Sequence, residues 1–471
     1  MSVRRTDSAH ERRVLMICCA FPPTGGPGVQ RSVKFAKYLP QFGWHPYVWS
    51  AKQIAGLPAD ATLLRDLPAT VTRRWLKHTE WDRAIRQAGE RAASRLGPDG
   101  RWGRAVAGLG WRTERGLRGL LDRLVPDEFV AWALRSYGPV CRWARRERIE
   151  ALYSTFSPPS NHLLASLVQR TLGVPWIADY RDLWTDNYDY HCPRAWQHKL
   201  NLRLDNRFLR LADAVVSVSD QCTAALAAHR PASEQSRFHT ITNGVDLDDF
   251  DAASRSTAPE PTSFRLTFVG HCIRMRFPTV VQEGISRFVA WARADGLPVS
   301  FRIVGLISSD LGPWLDSLGA AVERGGYQEH PAVVRELRSA GALLLTAQRR
   351  DADGATYPGT SAKLFEYLAS GRPIAVIGPE DSEAVEIVRA NEAGVWAPLD
   401  AERIAERLAE LARRWGDGRL PPGCSREQVA PYTRRHLTGQ LANVLNAITA
   451  PAARGLPARE ARVLVTASLG G

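Results

Sequence analysis

Short apolar runs recur along the whole chain and form its most regular pattern. Each run is four to six residues long and ends in a polar or glycine-containing segment; together they cover residues 14–18, 151–155, 174–178, 214–219, 265–269, 301–304, 342–346 and 373–377. Apolar runs of this length between turn residues are typical of buried strands. Because they alternate with helical stretches, they predict parallel sheets, which bind ligands beyond the carboxyl ends of their strands.

The length of the chain predicts two domains. The chain has 471 residues, more than one hydrophobic core usually supports. We expect one domain over residues 1–250 and another over residues 264–430, joined by residues 251–263, which are rich in Ala, Ser, Thr and Pro. A terminal helix is predicted over residues 431–450, and the Ala/Arg/Gly tail 451–471 has little to bury and is predicted to be disordered.

The segment after residue 358 combines a turn, a helix start and two opposite charges. Gly359 closes a tight turn, and Thr360 and Ser361 are suitable N-cap residues for the next helix. Lys363 lies one turn in, and Glu366 shares its face because positions i and i+3 are neighbours. Such a helix start attracts an anion. The same pattern also fits an amphipathic helix whose two charges are simply solvated.

A glycine-rich loop follows the first predicted strand. Gly25, Gly26 and Gly28 would let a ligand approach the backbone closely, and the helix predicted over residues 29–42 directs its N-terminus at them. The loop is not a G-x-G-x-x-G fingerprint. A turn of this composition without a function is therefore an equal alternative.

Five motifs, in order along the chain, carry a resemblance to a known family. They are F-P-P-x-G-G-x-G-V-Q-R from residue 21, Y-S-T-x-S-P-P from 153, W-I-A-D-Y-R-D-x-W from 176, I-T-N-G-V-D-x-D-x-F from 241 and K-L-F-E-Y-L-A-S-G-R-P-I from 363. Together they resemble the retaining GT-B glycosyltransferases of the family 4 type found in exopolysaccharide and surface-glycan assembly. The resemblance implies an α/β fold of GT-B architecture, with two Rossmann-like domains facing each other across a cleft.

The resemblance also implies a donor site for a nucleotide diphosphate sugar. It implies that the carboxylate of Glu366 holds the ribose hydroxyls, and that the preceding helix end faces the diphosphate. The predicted donor-binding residues are Glu366, Gly359, Thr360, Ser361, Gly270, Gly25, Gly26 and Gly28. Charge developing on the departing diphosphate needs cations, for which we expect Lys363 with Arg274 or Arg276. At least one of the two arginines is expected to be a surface residue.

Acceptor-side contacts are expected from polar residues at the ends of two predicted strands. These residues are His162, Asp179, Arg181 and Asp182. The two aspartates equally fit helix caps or partners of Arg181. No general base can be named, and in such enzymes the departing phosphate itself is able to deprotonate the acceptor.

One position departs from the family pattern. Many family members carry a second Glu eight residues before the ribose-binding one, where it contacts the transferred sugar, and this chain has Pro358 there. We expect backbone groups around Gly359 and Thr360 to replace that carboxylate. A catalytically silent relative would show the same departure.

No metal or other cofactor is expected beside the nucleotide sugar, which is a co-substrate. The sequence has no D-x-D flanked by apolar strand residues. Its seven cysteines are scattered, without C-x-x-C or a histidine at ligand spacing, which argues against a zinc site or a disulfide framework. This cysteine usage indicates a reducing cytoplasm.

The chain is basic, with a formal net charge of +13, which favours anionic partners. Residues 73–148 interleave tryptophans with arginines and are predicted to be a helical insertion. The insertion fits a solvated arginine face with packed tryptophans, or a helix lying on an anionic membrane. Stacking on nucleic-acid bases is the less favoured third interpretation. No apolar stretch is long enough to span a bilayer.

These observations favour one function over three alternatives. The leading hypothesis is a cytoplasmic, membrane-peripheral retaining glycosyltransferase with a glycan or lipid-linked acceptor. The alternatives are a non-catalytic nucleotide-sugar-binding scaffold, a basic nucleic-acid-binding protein, and an enzyme of the same fold that hydrolyses or epimerises the sugar nucleotide.

Overall fold

The computed structural model describes residues 11–52, 54, 59–77, 125–187, 190, 192, 194–253, 262–347 and 359–450. The chain forms two compact units. The N-terminal unit comprises the chain up to Ser217, Thr223–Ile241 and the chain from Thr438, and the C-terminal unit comprises Val218–Cys222 and Thr242–Leu437.

The N-terminal unit contains a seven-stranded, fully parallel sheet. Its strands lie in the order β3-β2-β1-β4-β5-β6-β7. They are β1 (Arg12–Ile17), β2 (Trp44–Ala51), β3 (Thr72–Leu76), β4 (Ala151–Phe156), β5 (Trp176–Tyr180), β6 (Ala214–Ser217) and β7 (Phe238–Thr240). Every residue of β4 and β5 is buried. Burial on both faces is what helices on either side of a parallel sheet produce, and it explains the continuous apolar runs in the sequence.

Helices follow the strands as the sequence pattern predicts. They are α1 (Pro27–Tyr38), α2 (Val130–Arg146), α3 (Ser160–Leu172), α4 (Ala195–Leu211) and α5 (Asp220–Ala228). The helix predicted over residues 29–42 is α1 with a further 3-10 turn, and Gly43 ends that turn with a φ of 79°.

The Trp/Arg-rich segment is only partly the predicted helical insertion. Its first residues form the edge strand β3, and its last residues belong to α2, where Trp132 and Trp143 are buried. Trp75 is exposed on β3. Two of these tryptophans are therefore core residues, because α2 packs them against the domain. Residues 78–124, with the other three tryptophans of the segment, lie outside the described part of the chain.

The C-terminal unit contains a six-stranded parallel sheet in the order β10-β9-β8-β11-β12-β13. The strands are β8 (Phe264–Val269), β9 (Val299–Val304), β10 (Val322–Gly326), β11 (Ala342–Thr346), β12 (Ile374–Ile377) and β13 (Gly394–Ala397). Alternate residues of β11 enter two different apolar clusters, with Leu344 on one face and Leu343 on the other. Both faces of this sheet are therefore covered.

The remaining helices belong mainly to the C-terminal unit. They are α6 (Leu247–Ala253), α7 (Thr279–Ala294), α8 (Gly312–Ser317), α9 (His330–Arg338), α10 (Lys363–Ser370), α11 (Glu383–Ala390), α12 (Ala401–Gly416), α13 (Arg426–Val429) and α14 (Arg434–Thr449). None of the helices in the described ranges is both long and apolar enough to cross a membrane.

The described ranges include the terminal helix and part of the predicted linker. Residues 251–253 form the end of α6, and residues 254–261 lie outside the described ranges, as does the tail 451–471. The last helix, α14, returns to the N-terminal unit. There Asn446 Oδ1 accepts hydrogen bonds from Trp44 Nε1 at 3.0 Å and Arg12 Nη1 at 2.6 Å.

Candidate active site

The ammonium of Lys363 lies against the backbone of Gly270. Lys363 is the first residue of α10, and Gly270 follows β8 with a φ of 127°. A Cβ atom at Gly270 would lie 1.9 Å from Lys363 Nζ. A side chain at Gly270 would displace the ammonium from this position. The structure thus brings together two predicted site residues that are far apart in the sequence.

This cation is held in an environment that disfavours its charge. Burial, followed by the neighbouring Arg276 guanidinium, lowers the pKa of Lys363 to about 7. Lys363 Nζ lies 4.9 Å from the centroid of the Phe268 ring. The cation–π interaction offsets part of the stabilisation that the ammonium loses when it is removed from water. Arg276 is itself fixed, because its Nη1 donates to the carbonyl oxygen of His271 at 3.0 Å. Two cations close together form a site that an incoming anion would stabilise.

Glu366 lies one turn further along α10 and is oriented by a histidine. His330 Nε2 lies 3.1 Å from Glu366 Oε1, and His330 Nδ1 lies 3.9 Å from Asp249 Oδ2. The Glu366 side chain keeps 20% of its surface exposed. His330 is not among the site residues predicted from the sequence. The His330-Pro331 pair, which opens a helix after the three residues that follow β10, is the signal in the sequence.

Bare backbone and exposed apolar side chains also lie at this sheet edge. A Cβ atom at Gly305, which follows β9, would lie 2.3 Å from the carbonyl oxygen of Gly270. Leu306 is 61% exposed after β9, and Tyr327 is 72% exposed after β10. The carboxyl edge of this sheet therefore offers cations, a carboxylate, bare backbone and exposed apolar surface.

A second group of polar residues lies at the carboxyl edge of the N-terminal sheet. A Cβ atom at Gly28 would lie 1.5 Å from Arg181 Nη1, so the guanidinium lies directly on the glycine loop. Arg181 Nε donates to the carbonyl oxygen of Phe156 at 2.8 Å. Gly26 precedes α1 with a φ of 112°, which favours glycine, and Gly25 is buried. The structure thus brings Arg181 and the glycine loop together.

Comparison with known proteins decides the class of this chain. Residues 28–249 match the model of Glycosyltransferase Family 4. The chain is a glycosyltransferase with a family 4 domain. The comparison with curated protein sequences returns no match.

Solved structures similar to this glycosyltransferase share its fold. Sucrose-phosphate synthase from Thermosynechococcus elongatus is 15% identical with a TM-score of 0.53, covering 97% of this chain and 100% of that one. The trehalose 6-phosphate synthase of Burkholderia multivorans is 14% identical, with a TM-score of 0.59 and coverage of 94% and 100%. Anabaena HepE, solved with UDP, is 13% identical, with a TM-score of 0.51 and coverage of 96% and 100%. The glycosyltransferase therefore has the GT-B fold, as the motifs predict.

Two predicted caps of the glycosyltransferase's α10 do not cap it. The N-cap residue is Ala362, without a side-chain hydrogen bond. The Thr360 hydroxyl is buried and donates to Glu383 Oε2, and Ser361 is exposed. The prediction that both side chains cap the helix is wrong, because the helix begins two residues later. Gly359 precedes them with a φ of 157°, and Pro358 lies outside the described residues.

The two predicted arginines of the glycosyltransferase separate into different environments. Arg274 is exposed, as expected for one of the pair, whereas Arg276 is partly buried and lowers the pKa of Lys363. Of the two arginines, Arg276 is the one that acts on the ammonium of Lys363. Arg274 stays a surface residue in this structure.

Asp179 of the glycosyltransferase is a structural residue paired with Arg31. It is fully buried, and its carboxylate accepts from Arg31 Nη2 at 2.8 Å, Tyr153 Oη at 2.6 Å and Thr155 Oγ1 at 3.0 Å. Burial acts to raise the pKa of Asp179, but the charge of Arg31 and the hydrogen bonds from Arg31, Tyr153 and Thr155 together lower the pKa below its ordinary value. The predicted pairing with Arg181 is wrong, since α1 delivers Arg31 instead. Asp182 follows β5 and is half-buried.

His162 also belongs to the core of the glycosyltransferase. It is fully buried, and burial lowers its pKa to about 3, so the ring is neutral. Ser154 Oγ lies 2.8 Å from His162 Nδ1, and the Tyr180 ring centroid lies 4.8 Å away. The expectation of an acceptor contact from His162 is wrong, because aromatic rings enclose the imidazole.

Proposed function

We propose that the chain transfers a sugar from a nucleotide diphosphate sugar to a hydroxyl of a glycan or lipid-linked acceptor, with retention of anomeric configuration. The bond between the anomeric carbon and the diphosphate oxygen breaks, and a bond from that carbon to the acceptor oxygen forms. The acceptor's proton passes to the departing diphosphate. The observation that carries the proposal is the Lys363 ammonium against Gly270, beside Arg276 and one turn from Glu366.

In this proposal the residues of the C-terminal unit have distinct roles. Lys363 and Arg276 stabilise negative charge on the diphosphate, which is the dominant catalytic requirement when the leaving group is an anion. Glu366, oriented by His330, accepts from the ribose hydroxyls. The cations make charge stabilisation available without a divalent ion, so we propose that activity is independent of added metal.

We further propose a role in exopolysaccharide or cell-surface polysaccharide synthesis, in the cytoplasm at the inner face of the cell membrane. The motifs quoted above and the basic character of the chain support this assignment. A lipid-linked acceptor would be reached at that surface.

The test begins with a melting-temperature screen against UDP, GDP, TDP and ADP and their sugars, because a ligand of the native state raises its melting temperature. Turnover is then measured with the stabilising donor and an acceptor panel, with and without EDTA. The anomeric configuration of the product is read by NMR. Glu366→Ala should weaken donor binding, and Lys363→Ala should lower turnover. Normal turnover in both variants would overturn the site assignment. Donor binding without product would favour the scaffold alternative.

A further inference from the structure

One exposed side of α4 carries cations and apolar residues. Six side chains share an arc of about 100° on this helix, at roughly 100° per residue, and all six are exposed: Trp196, Lys199, Leu200, Arg203, Arg207 and Arg210. We name these six residues the α4 face. Trp196 is 52% and Leu200 is 38% exposed. The α4 face extends for about 21 Å, at roughly 1.5 Å per residue.

The α4 face has no acidic side chain. The only carboxylate of α4 is Asp205, which is buried on the opposite side of the helix. No carboxylate of the described residues forms an ion pair with the four cations of the face. The exposed arginines of α12 differ, because Arg403, Arg407 and Arg414 each pair with a glutamate on the same helix.

The opposite side of α4 is fixed to the N-terminal unit. Asp205 accepts from Tyr180 Oη at 2.8 Å and from Thr185 Oγ1 at 2.8 Å. Phe208 stacks on Trp184 with ring centroids 6.1 Å apart. Because these contacts hold the helix rigidly, its outer face is preorganised for a partner.

A shallow groove accompanies the α4 face. It has a volume of about 610 Å³ and is lined by residues of α4, with Arg230 at its border. Arg230 pairs with Glu234 at 2.8 Å, so the charge of that carboxylate is neutralised. The groove is therefore cationic with aliphatic walls, of which Leu200 and Leu204 are part.

We propose that the α4 face docks on an anionic lipid bilayer. Its cations match lipid phosphates, and Trp196 and Leu200 have the amphipathic and apolar character that sits at the boundary of head groups and acyl chains. A nucleic-acid partner is less suited to this surface, because successive bases stack on several aromatic rings and Trp196 is the single aromatic side chain of the α4 face. This inference deepens the proposed membrane location and rests on it, and it assigns the contact to residues outside the Trp/Arg-rich segment.

Vesicle co-sedimentation tests the proposal with the full-length chain. We compare vesicles of phosphatidylcholine alone with vesicles in which a quarter of the lipid is phosphatidylglycerol. Binding should require the anionic lipid, and it should weaken as salt rises from about 0.1 M to about 1 M, which shortens the screening length from about 10 Å to about 3 Å. Each cation near the surface should contribute roughly a fivefold change in partitioning. The triple variant Arg203→Gln, Arg207→Gln, Arg210→Gln should therefore bind on the order of 100-fold more weakly.

A matched control changes the same number of charges elsewhere. The variant Arg403→Gln, Arg407→Gln, Arg414→Gln removes three exposed arginines of α12, which already have glutamate partners. It should retain nearly all vesicle binding. Trp196→Ala in the α4 face should weaken binding without altering net charge.

Three results would overturn the proposal: no binding of the native chain to anionic vesicles, equal losses in the two triple variants, or binding to RNA alone. Failure here is separable from failure of the proposed glycosyl transfer. The melting-temperature shift caused by a nucleoside diphosphate reports the donor site, and it should be the same in the α4 triple variant and the native chain. Circular dichroism of that variant checks that it is folded.

Discussion

The imidazole of His330 lies between two carboxylates, with Nε2 at 3.1 Å from Glu366 Oε1 and Nδ1 at 3.9 Å from Asp249 Oδ2. Because an ionised carboxylate only accepts hydrogen bonds, Nε2 must carry the hydrogen that faces Glu366. This bond fixes the direction in which the remaining Glu366 oxygen is presented. His330 is therefore a positioning residue for the proposed ribose contact.

Removing His330 should weaken nucleotide binding. We expect His330→Ala to raise the Kd of the stabilising nucleoside diphosphate about tenfold, because an orienting hydrogen bond is worth roughly 1–1.5 kcal/mol. His330→Gln keeps a donor on the side chain and should recover part of the loss. Titration calorimetry measures both values.

The control for this change is a comparable histidine in the other unit. His229 Nε2 lies 2.7 Å from Asp186 Oδ2. His229→Ala should leave nucleotide affinity unchanged. If His330→Ala also binds normally, Glu366 either is held by other groups or does not contact the ribose.

The buried charge of Lys363 should lower the stability of the folded protein. Its pKa is about 7 in the folded protein and has an ordinary value of 10.5. Between these values the unfolded chain binds one proton more than the folded chain, so this residue makes stability rise with pH. Below pH 7 both states are protonated, and the folded protein bears the whole cost of the buried charge. Lys363→Met should therefore melt higher than the native chain without ligand, most clearly below pH 7, and the advantage should shrink as pH rises.

The same residue predicts a pH dependence of binding. A diphosphate favours the protonated ammonium, so affinity should fall as pH rises above 7 in the native chain and should stay flat in Lys363→Met. Thermal melting and calorimetry between pH 6 and pH 9 (about one to two units around the pKa) measure both effects. The exposed Lys52 supplies the control, since Lys52→Met should change neither. A lower melting temperature for Lys363→Met would contradict the burial argument.

The predicted strands match the structure where apolar residues form unbroken runs. The runs at 151–155 and 342–346 lie in β4 and β11, both buried on two faces. Strand β2 is not predicted, because Pro46 and His45 interrupt its apolar pattern. Strand β13 is not predicted either, because its four residues include Gly394 and are only partly buried.

Site residues are harder to predict than strands, because the sequence does not show which loops meet. The motif identifies Lys363, but the contact of Lys363 with Gly270 depends on how β8 and α10 are placed. Acceptor contacts are predicted for Asp179 and His162, although both face inward from strand and helix positions that the sequence pattern alone does not orient. His330 belongs to no quoted motif, so its role follows only from its distance to Glu366.

Gly270 should be intolerant of a side chain for two reasons. An alanine there adopts a strained φ and also displaces the ammonium of Lys363, since the Cβ position lies 1.9 Å from Nζ. We expect Gly270→Ala to lose about 1–2 kcal/mol of stability from the backbone and tenfold or more in nucleotide affinity, on the order of 1.4 kcal/mol.

Gly296 is the control for the stability lost through backbone strain. It has a φ of 70°, and an added methyl group there would meet no atom within 4 Å. Gly296→Ala should lose stability but keep nucleotide affinity. Thermal melting and calorimetry separate the two quantities. Equal affinities in both alanine variants would show that Lys363 does not depend on the space at Gly270.

The buried pair of Arg31 and Asp179 should matter for folding and not for the chemical step. Arg31 is 1% exposed, and its guanidinium also donates to the carbonyl oxygen of Ile241 at 2.8 Å. Removing one member leaves an unpaired buried charge, so Arg31→Met should cost about 3–5 kcal/mol. The double variant Arg31→Met, Asp179→Asn should lose less than Arg31→Met alone, because the orphaned charge is gone.

Denaturant unfolding of the N-terminal unit, followed by the fluorescence of its buried tryptophans, measures these losses. The exposed pair Arg287–Glu283, at 2.9 Å, gives the reference, and Arg287→Met should cost less than about 1 kcal/mol. Under conditions where the double variant is folded, its kcat should stay near that of the native chain, because both side chains are buried in the N-terminal unit. A large fall in kcat with unchanged stability would instead support an acceptor-side role for Asp179.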